Sequence, residues 1–172
     1  MRARLIANPT SGADRAVPLL TAVNARLRTL VSDLDITLTT SEDDVLRAAR
    51  RTADEGCELL FVAGGDGTDN AAVRAIAQLP GGLERVTFGI IPAGTGNDFA
   101  KALGLGEDPE AALDILLEAA VIDVDLGELN GRTFVNVSAG GFIADVSATL
   151  TEELKGATGK LAYVIGGARV LF

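Results

Sequence analysis

The chain has 172 residues, 48% hydrophobic and 23% charged, with 20 glycines, an ordinary globular composition that suffices for one sizeable core. Fifteen Lys and Arg against 24 Asp and Glu leave a net charge of -9, with no basic cluster interleaved with aromatics, which excludes nucleic acid as a partner. No histidine is present, so Ser-His and Cys-His chemistry is excluded and carboxylates remain as proton acceptors, while the lone Cys57 excludes a disulfide framework and fits a reducing cytoplasm.

Met1-Arg2-Ala3-Arg4 leads directly into a short strand, Leu5-Ile6-Ala7, and no apolar run approaches bilayer length, so no transmembrane segment is expected. Pro9 and Gly12 end that strand in the turn Asn8-Pro9-Thr10-Ser11-Gly12. Val17, Leu20, Val23, Leu27, Leu30 and Val31 recur at three- and four-residue steps and predict an amphipathic helix. A strand around Ile36 and Leu38 follows, then a helix that starts at Ser41, carries acidic residues in its first turn and stops at Gly56. Leu59 to Ala63 is a continuous buried strand. It enters the turn Gly64-Gly65-Asp66-Gly67-Thr68, a helix through Val73 and Ile76, and a break at Pro80-Gly81-Gly82. The strand Val86 to Ile91 then reaches a second glycine turn, Pro92 to Asp98.

Strand and helix alternate in this way down the chain, which predicts an α/β fold: an open, mostly parallel sheet with helices on both faces. Ligands of such sheets sit beyond the carboxyl ends of the strands. Asn8 to Gly12, Thr39, Gly64 to Thr68 and Pro92 to Asp98 all fall just past strand ends, so four segments are expected to converge on one edge. Glycine lets backbone N–H groups close on an anion, and the helix behind each turn adds donors and a positive dipole end, which together suit a polyphosphate. An aspartate in each of the two glycine turns, Asp66 and Asp98, suits a divalent cation.

After a helix from Pro109 to about Glu118 the pattern changes. Ile122 to Gly127 and Arg132 to Val137 read as strands flanking Asn130-Gly131, a hairpin signal. We place an α/β nucleotide-binding domain at 1–121 and the beginning of a β-rich substrate domain, incomplete, at 122–172. The tail from Thr151 to Phe172 reads as helix interrupted at Gly156 to Gly159, and its uncapped apolar end predicts a truncated chain. Val170 to Phe172 offers a face on which a second copy would associate, so a homodimer stays open.

Three turns, Asn8 to Gly12, Gly64 to Thr68 and Gly94 to Ala100, together resemble the signatures of the diacylglycerol kinase catalytic-domain family, in particular its soluble bacterial lipid kinases. Asn136 to Phe142 and Gly159 to Tyr163 are similar to later stretches of the same family, so the likeness spans essentially the whole chain. The glycine-aspartate turn is shared with NAD kinases and phosphofructokinases; the Gly-Thr-Gly-Asn-Asp-Phe-Ala run from Gly94 discriminates better.

The resemblance implies ATP- and Mg²⁺-dependent phosphorylation of a lipid hydroxyl at a membrane surface. The implied nucleotide contacts are Asn8, Pro9, Thr10, Ser11, Gly12, Thr39, Gly65, Asp66, Gly67, Thr68, Asp69, Asn70, Gly94, Thr95 and Asn97. Asp66, Asp98 and Asp125 are the implied Mg²⁺ ligands, direct or through water. Each has a rival reading: Asp66 as a brace of its own turn, Asp98 as a helix cap, Asp125 as an exposed strand residue. Lys101 reads as a solvated lysine and Cys57 as packing. The chain departs from the family at Ala71, where a glutamate is usual, and at Asp43, where a small glycine is usual. The family's general base lies beyond Phe172, so the 172-residue chain is expected to bind nucleotide with little or no kinase activity alone. An NAD kinase-like enzyme and a non-catalytic nucleotide-binding module are the alternatives, and diacylglycerol, phosphatidylglycerol and a sphingoid base all stay open as acceptor.

Overall fold

Every apolar run read as a strand before residue 92 becomes one in the computed structural model of the chain, which describes residues 1–9, 16–118 and 120–137. Strands β1 (Arg2–Ala7), β2 (Asp33–Leu38), β3 (Leu59–Gly64) and β4 (Thr87–Pro92) form one all-parallel sheet in the order β2-β1-β3-β4. The helices are α1 (Ala16–Leu30), α2 (Glu42–Asp54), α3 (Asp66–Ala77), α4 (Gly82–Arg85), α5 (Asp98–Ala102) and α6 (Pro109–Glu118). Alternate residues of each central strand feed two cores. Ala3, Leu5, Phe61, Ala63 and Ile91 pack with Val23 and Leu27 of α1 and Leu113 of α6. Ile6, Leu60, Val62 and Ile90 pack with Ala49 of α2 and Ala72 and Ile76 of α3 on the other side. Burial on both faces is what a parallel sheet requires, and it is why these strands read as near-continuous apolar runs.

β1 begins three residues earlier than the apolar signal at Leu5. Arg4 is fully buried there: its guanidinium donates to Asp35 Oδ2 at 2.6 Å, to Glu55 Oε2 at 2.8 Å and to the Ala48 carbonyl at 3.2 Å. A cation is tolerated inside a sheet only with such partners, and hydropathy alone hides them. Val23 and Leu27 of α1 and Val31 just past its end are buried as expected, while Leu30 stands at the rim of that stripe and is exposed.

Helix α2 starts on a reciprocal cap. Ser41 Oγ accepts the Asp44 N–H, and Asp44 Oδ2 accepts the Ser41 and Thr40 N–H groups and the Thr40 hydroxyl. The Thr40 N–H leads the interactions, with Ser41 next, that lower the Asp44 pKa to about 2. The cap's support is therefore complete above the ordinary carboxylate pKa and is lost as pH falls from there through about 2. Ser41→Ala is expected to destabilise the protein by about 1 kcal/mol in urea unfolding at neutral pH.

Past β4 the structure departs from the strand expected at Ile122 to Gly127. Residues 120–126 make no ladder, and only a short hairpin follows, β5 (Gly127–Leu129) with β6 (Arg132–Phe134). Asn130 and Gly131 form its turn at φ 52° and 74°, the left-handed pair that a two-residue hairpin turn demands. Handedness excludes one place for that segment, a position in the parallel sheet. Right-handed crossovers place α1 behind the sheet and α2 and α3 in front; because α6 packs with α1, a further parallel strand beside β4 would need a left-handed crossover.

Met1–Asn136 forms one unit, and the chain from Val137 is grouped apart. The expected tail helix, the Gly159 to Tyr163 stretch, nearly all of Asn136 to Phe142, and Thr10, Ser11 and Gly12 lie outside the described residues. No helix among the described residues is long and apolar enough to cross a membrane.

Candidate functional site

The carboxyl ends of the four strands form a continuous rim, because the ladder runs one residue past each end. The Thr39 N–H donates to the Ala7 carbonyl at 2.9 Å, Asn8 to Ala63 at 3.1 Å, and Ala93 to Gly64 at 2.7 Å. Chain order reverses between β1 and β3, so the crevice of the sheet opens between the turn after Ala7 and the turn after Gly64, where open α/β sheets take their ligands.

The two glycine turns meet backbone to backbone. A Cβ added to Gly94 would lie 2.5 Å from Gly65 Cα, and one added to Gly65 would lie 3.0 Å from Gly94 Cα. Asn97 holds the second turn from within. It sits in the left-handed region at φ 53°, its Oδ1 accepts the Gly94 N–H at 2.9 Å, and its Nδ2 donates to the Gly94 carbonyl at 2.9 Å. Asp66 holds it from outside, Oδ1 accepting the Phe99 N–H at 2.9 Å, while a Cβ on Gly96 would fall 2.8 Å from Asp66 Oδ2. Gly65 is the N-cap of α3, and no side chain caps that end of the helix. Its first amides and its dipole point to the rim, with Asp66 and Asp69 in the first turn.

The other expected residues distribute as follows. Asn8 and Pro9 are half-buried at the rim. Thr39 is fully buried, and its hydroxyl donates to the Ala7 carbonyl at 3.3 Å, so it pins β2 to β1. Gly67 is exposed, and Thr68 folds its side chain over Gly64. Thr95 is exposed on the second turn. Asn70 Oδ1 accepts the Val135 N–H at 3.2 Å. Asp98 is exposed and pairs with Lys101, which also reaches Glu107 at 3.5 Å; the hydrogen bond that Lys101 donates to Asp98 leads the causes that raise the Lys101 pKa. Asp125 is exposed in the unpaired stretch before β5. No group of three or more His, Cys, Asp or Glu side chains arranged to hold a metal ion occurs among the described residues.

Asp69, expected as a nucleotide contact, is instead buried inside the stripe that α3 turns to the core. It is 1% exposed, and its Oδ1 has no hydrogen-bond partner among the described residues. Burial pushes its carboxyl well above the ordinary range, and the charge of Asp66 one turn earlier adds to the shift. The sequence carries the signal for this burial: Asp69 stands three residues before Ala72 and four before Val73, on the stripe that α3 buries.

Comparison with known proteins adds an independent line. The diacylglycerol kinase catalytic domain family matches residues 2–129. A diacylglycerol kinase of Staphylococcus carnosus is 39% identical over 170 residues, which is 99% of this chain and 55% of that protein. One from Bacillus subtilis is 36% identical over 171 residues, again 99% of this chain and 55% of the relative. A crystal structure of a diacylglycerol kinase from Bacillus anthracis superposes with a TM-score of 0.70 at 32% identity, covering 78% of this chain and 48% of that one. The chain thus spans about half the length of the relatives it matches.

Proposed function

Because the chain belongs to the diacylglycerol kinase catalytic domain family, we propose that it is the nucleotide-holding part of an ATP- and Mg²⁺-dependent kinase that phosphorylates a lipid hydroxyl at a membrane surface. The contact between Gly65 and Gly94, which brings two glycine turns against the uncapped end of α3, is the observation that carries this reading. The backbone amides from Gly65 to Gly67 would bind the phosphates, since the Thr68 N–H is taken by the Gly65 carbonyl, and the Gly94 to Asn97 turn would close the opposite side.

The residues fit Mg²⁺, an ion that takes one or two carboxylates and keeps several waters. Asp66 spends Oδ1 on the Phe99 amide and retains Oδ2, and the buried, unpartnered Asp69 Oδ1 belongs to the residue one turn further on. Asp98 and Asp125 are exposed, and Asp98 shares with Asp66 the space beside Gly96. Bound there, the ion would neutralise phosphate charge, on which phosphoryl transfer chiefly depends. This chain's own contribution is to position the triphosphate, to orient Asp66 through its bond to Phe99, and to exclude water with Phe99 and the apolar residues behind it.

Calorimetry of the 172-residue chain with ATP is expected to show saturable, Mg²⁺-enhanced binding. Phosphate transfer to diacylglycerol-containing vesicles by this chain alone is expected to be low, since the resemblance puts the general base further along. Absence of any ATP binding at saturating Mg²⁺ overturns the reading, as does efficient transfer to NAD in preference to the vesicles.

A further inference from the structure

Asp66 and Asn70 stand four residues apart on α3, which puts them on one face of the helix. Each side chain takes a backbone amide from a remote segment. Asp66 Oδ1 accepts from Phe99, 33 residues away, and Asn70 Oδ1 accepts from Val135, 65 residues away. The two captured segments differ in kind: Phe99 opens α5 directly behind the second glycine turn, and Val135 follows β6 of the hairpin. Both residues are buried, and both line one mainly apolar cavity of about 840 Å³ beside β4.

Local sequence does not provide for these two amides. α5 starts from a left-handed Asn97 whose side chain is occupied by Gly94, so it has no side-chain cap of its own. Val135 lies just outside the hairpin ladder, which ends at Phe134. An amide left unpaired at such a buried position is costly, and an acceptor supplied from another element removes that cost while fixing the distance between the elements. For Asp66 the acceptor is ionisable, which makes the bond charge-assisted when the carboxyl is ionised.

We infer that Asp66 and Asn70 are positioning residues that clamp the second glycine turn and the hairpin onto α3, so that the two halves of the phosphate cradle move as one body. An amide cradle on α3 alone needs neither bond. The consequence for nucleotide affinity rests on the kinase reading, whereas the clamp itself stands on the contacts within the chain.

The test is residue-resolved amide exchange on the 172-residue chain with Asp66→Ala, Asp66→Asn and Asn70→Leu, alongside ATP affinity measured in EDTA. Asp66→Ala is expected to speed Phe99 exchange roughly tenfold or more and to weaken metal-free ATP binding. Asp66→Asn keeps an oxygen acceptor at the same place, so Phe99 protection should stay within a few-fold of the parent. Asn70→Leu should release Val135 and leave Phe99 protected. Unchanged amides in β3 show that each variant is folded. Equal Phe99 protection in the parent and Asp66→Ala overturns the clamp, as does a loss in Asp66→Asn as large as in Asp66→Ala. A parent chain that binds no ATP, but in which Phe99 and Val135 respond as stated, supports the clamp and removes the kinase reading.

Discussion

Gly94→Ala should separate the two glycine turns and abolish most nucleotide affinity. The added methyl would sit 2.5 Å from Gly65 Cα, 3.1 Å from Gly65 N and 3.0 Å from Asn97 Oδ1. Two of those atoms are backbone of a turn tied to Gly94's own strand through the Ala93 to Gly64 bond, so neither side can yield cheaply. Overpacking of this kind costs about 2–3 kcal/mol, read as a shift in the denaturation midpoint. If that strain is relieved by parting the turns, nucleotide affinity falls by roughly 30- to 100-fold. Gly67→Ala is the matched control. Nothing lies within 4 Å of its added Cβ, and the position is helical, so thermal stability should hold or rise slightly. Its methyl would stand on the exposed side, where the proposed phosphates approach, so affinity should drop without loss of fold. A Gly94→Ala protein with parental ATP affinity would remove the turn contact from the mechanism.

Asp69→Leu should make the protein more stable at neutral pH. Leucine matches the branched outline of an aspartate side chain and places carbon where Asp69 Oδ1 is buried without a partner. An unpaired buried polar group costs about 1–3 kcal/mol, which the substitution removes. The pH dependence carries the sharper signature. Burial raises the folded-state pKa of Asp69 well above the ordinary value, so the folded chain holds a proton that the unfolded chain releases. Asp69's contribution is therefore complete below about pH 4 and declines as pH rises from there toward the folded-state pKa. The leucine variant should lack that decline, so the two stability curves should converge in acid and diverge toward neutrality. Parallel curves across the range would show that Asp69 is ionised and paired in the folded protein. If Asp69 also contributes to ion binding, the same variant should lose part of the Mg²⁺ enhancement of ATP binding while gaining stability.

Much of this was legible in the amino-acid order because the informative residues act locally. β3 and β4 are continuous apolar runs, Ser41 announces a helix start, and Asn130-Gly131 dictates its own turn. The glycines at 64, 65, 94 and 96 mark backbone approached closely by other atoms, and the coordinates place such an atom within 3.0 Å of each added Cβ. What stayed hidden depends on partners far along the chain. Arg4 masks the first half of β1 because Asp35 and Glu55, which make its burial tolerable, are distant in sequence. The alternation from Ile122 to Leu126 reads as a strand, yet alternation does not supply a pairing partner, and the ladder holds only from Gly127, with Ile122 and Val124 exposed. The bond from Phe99 to Asp66 is likewise invisible from the order of residues, since neither end requires the other.

Arg4 and its carboxylates lie on the half of the sheet away from the rim. Four residues of strand, roughly 13 Å, separate Arg4 from Asn8. Energetic effects at such separations add rather than interact. A designer can therefore rebuild the ionic foundation, for example with an apolar trio, and expect phosphate recognition at the opposite end to be unaffected. The molecule behaves in this respect like a tool whose handle and blade can be forged separately.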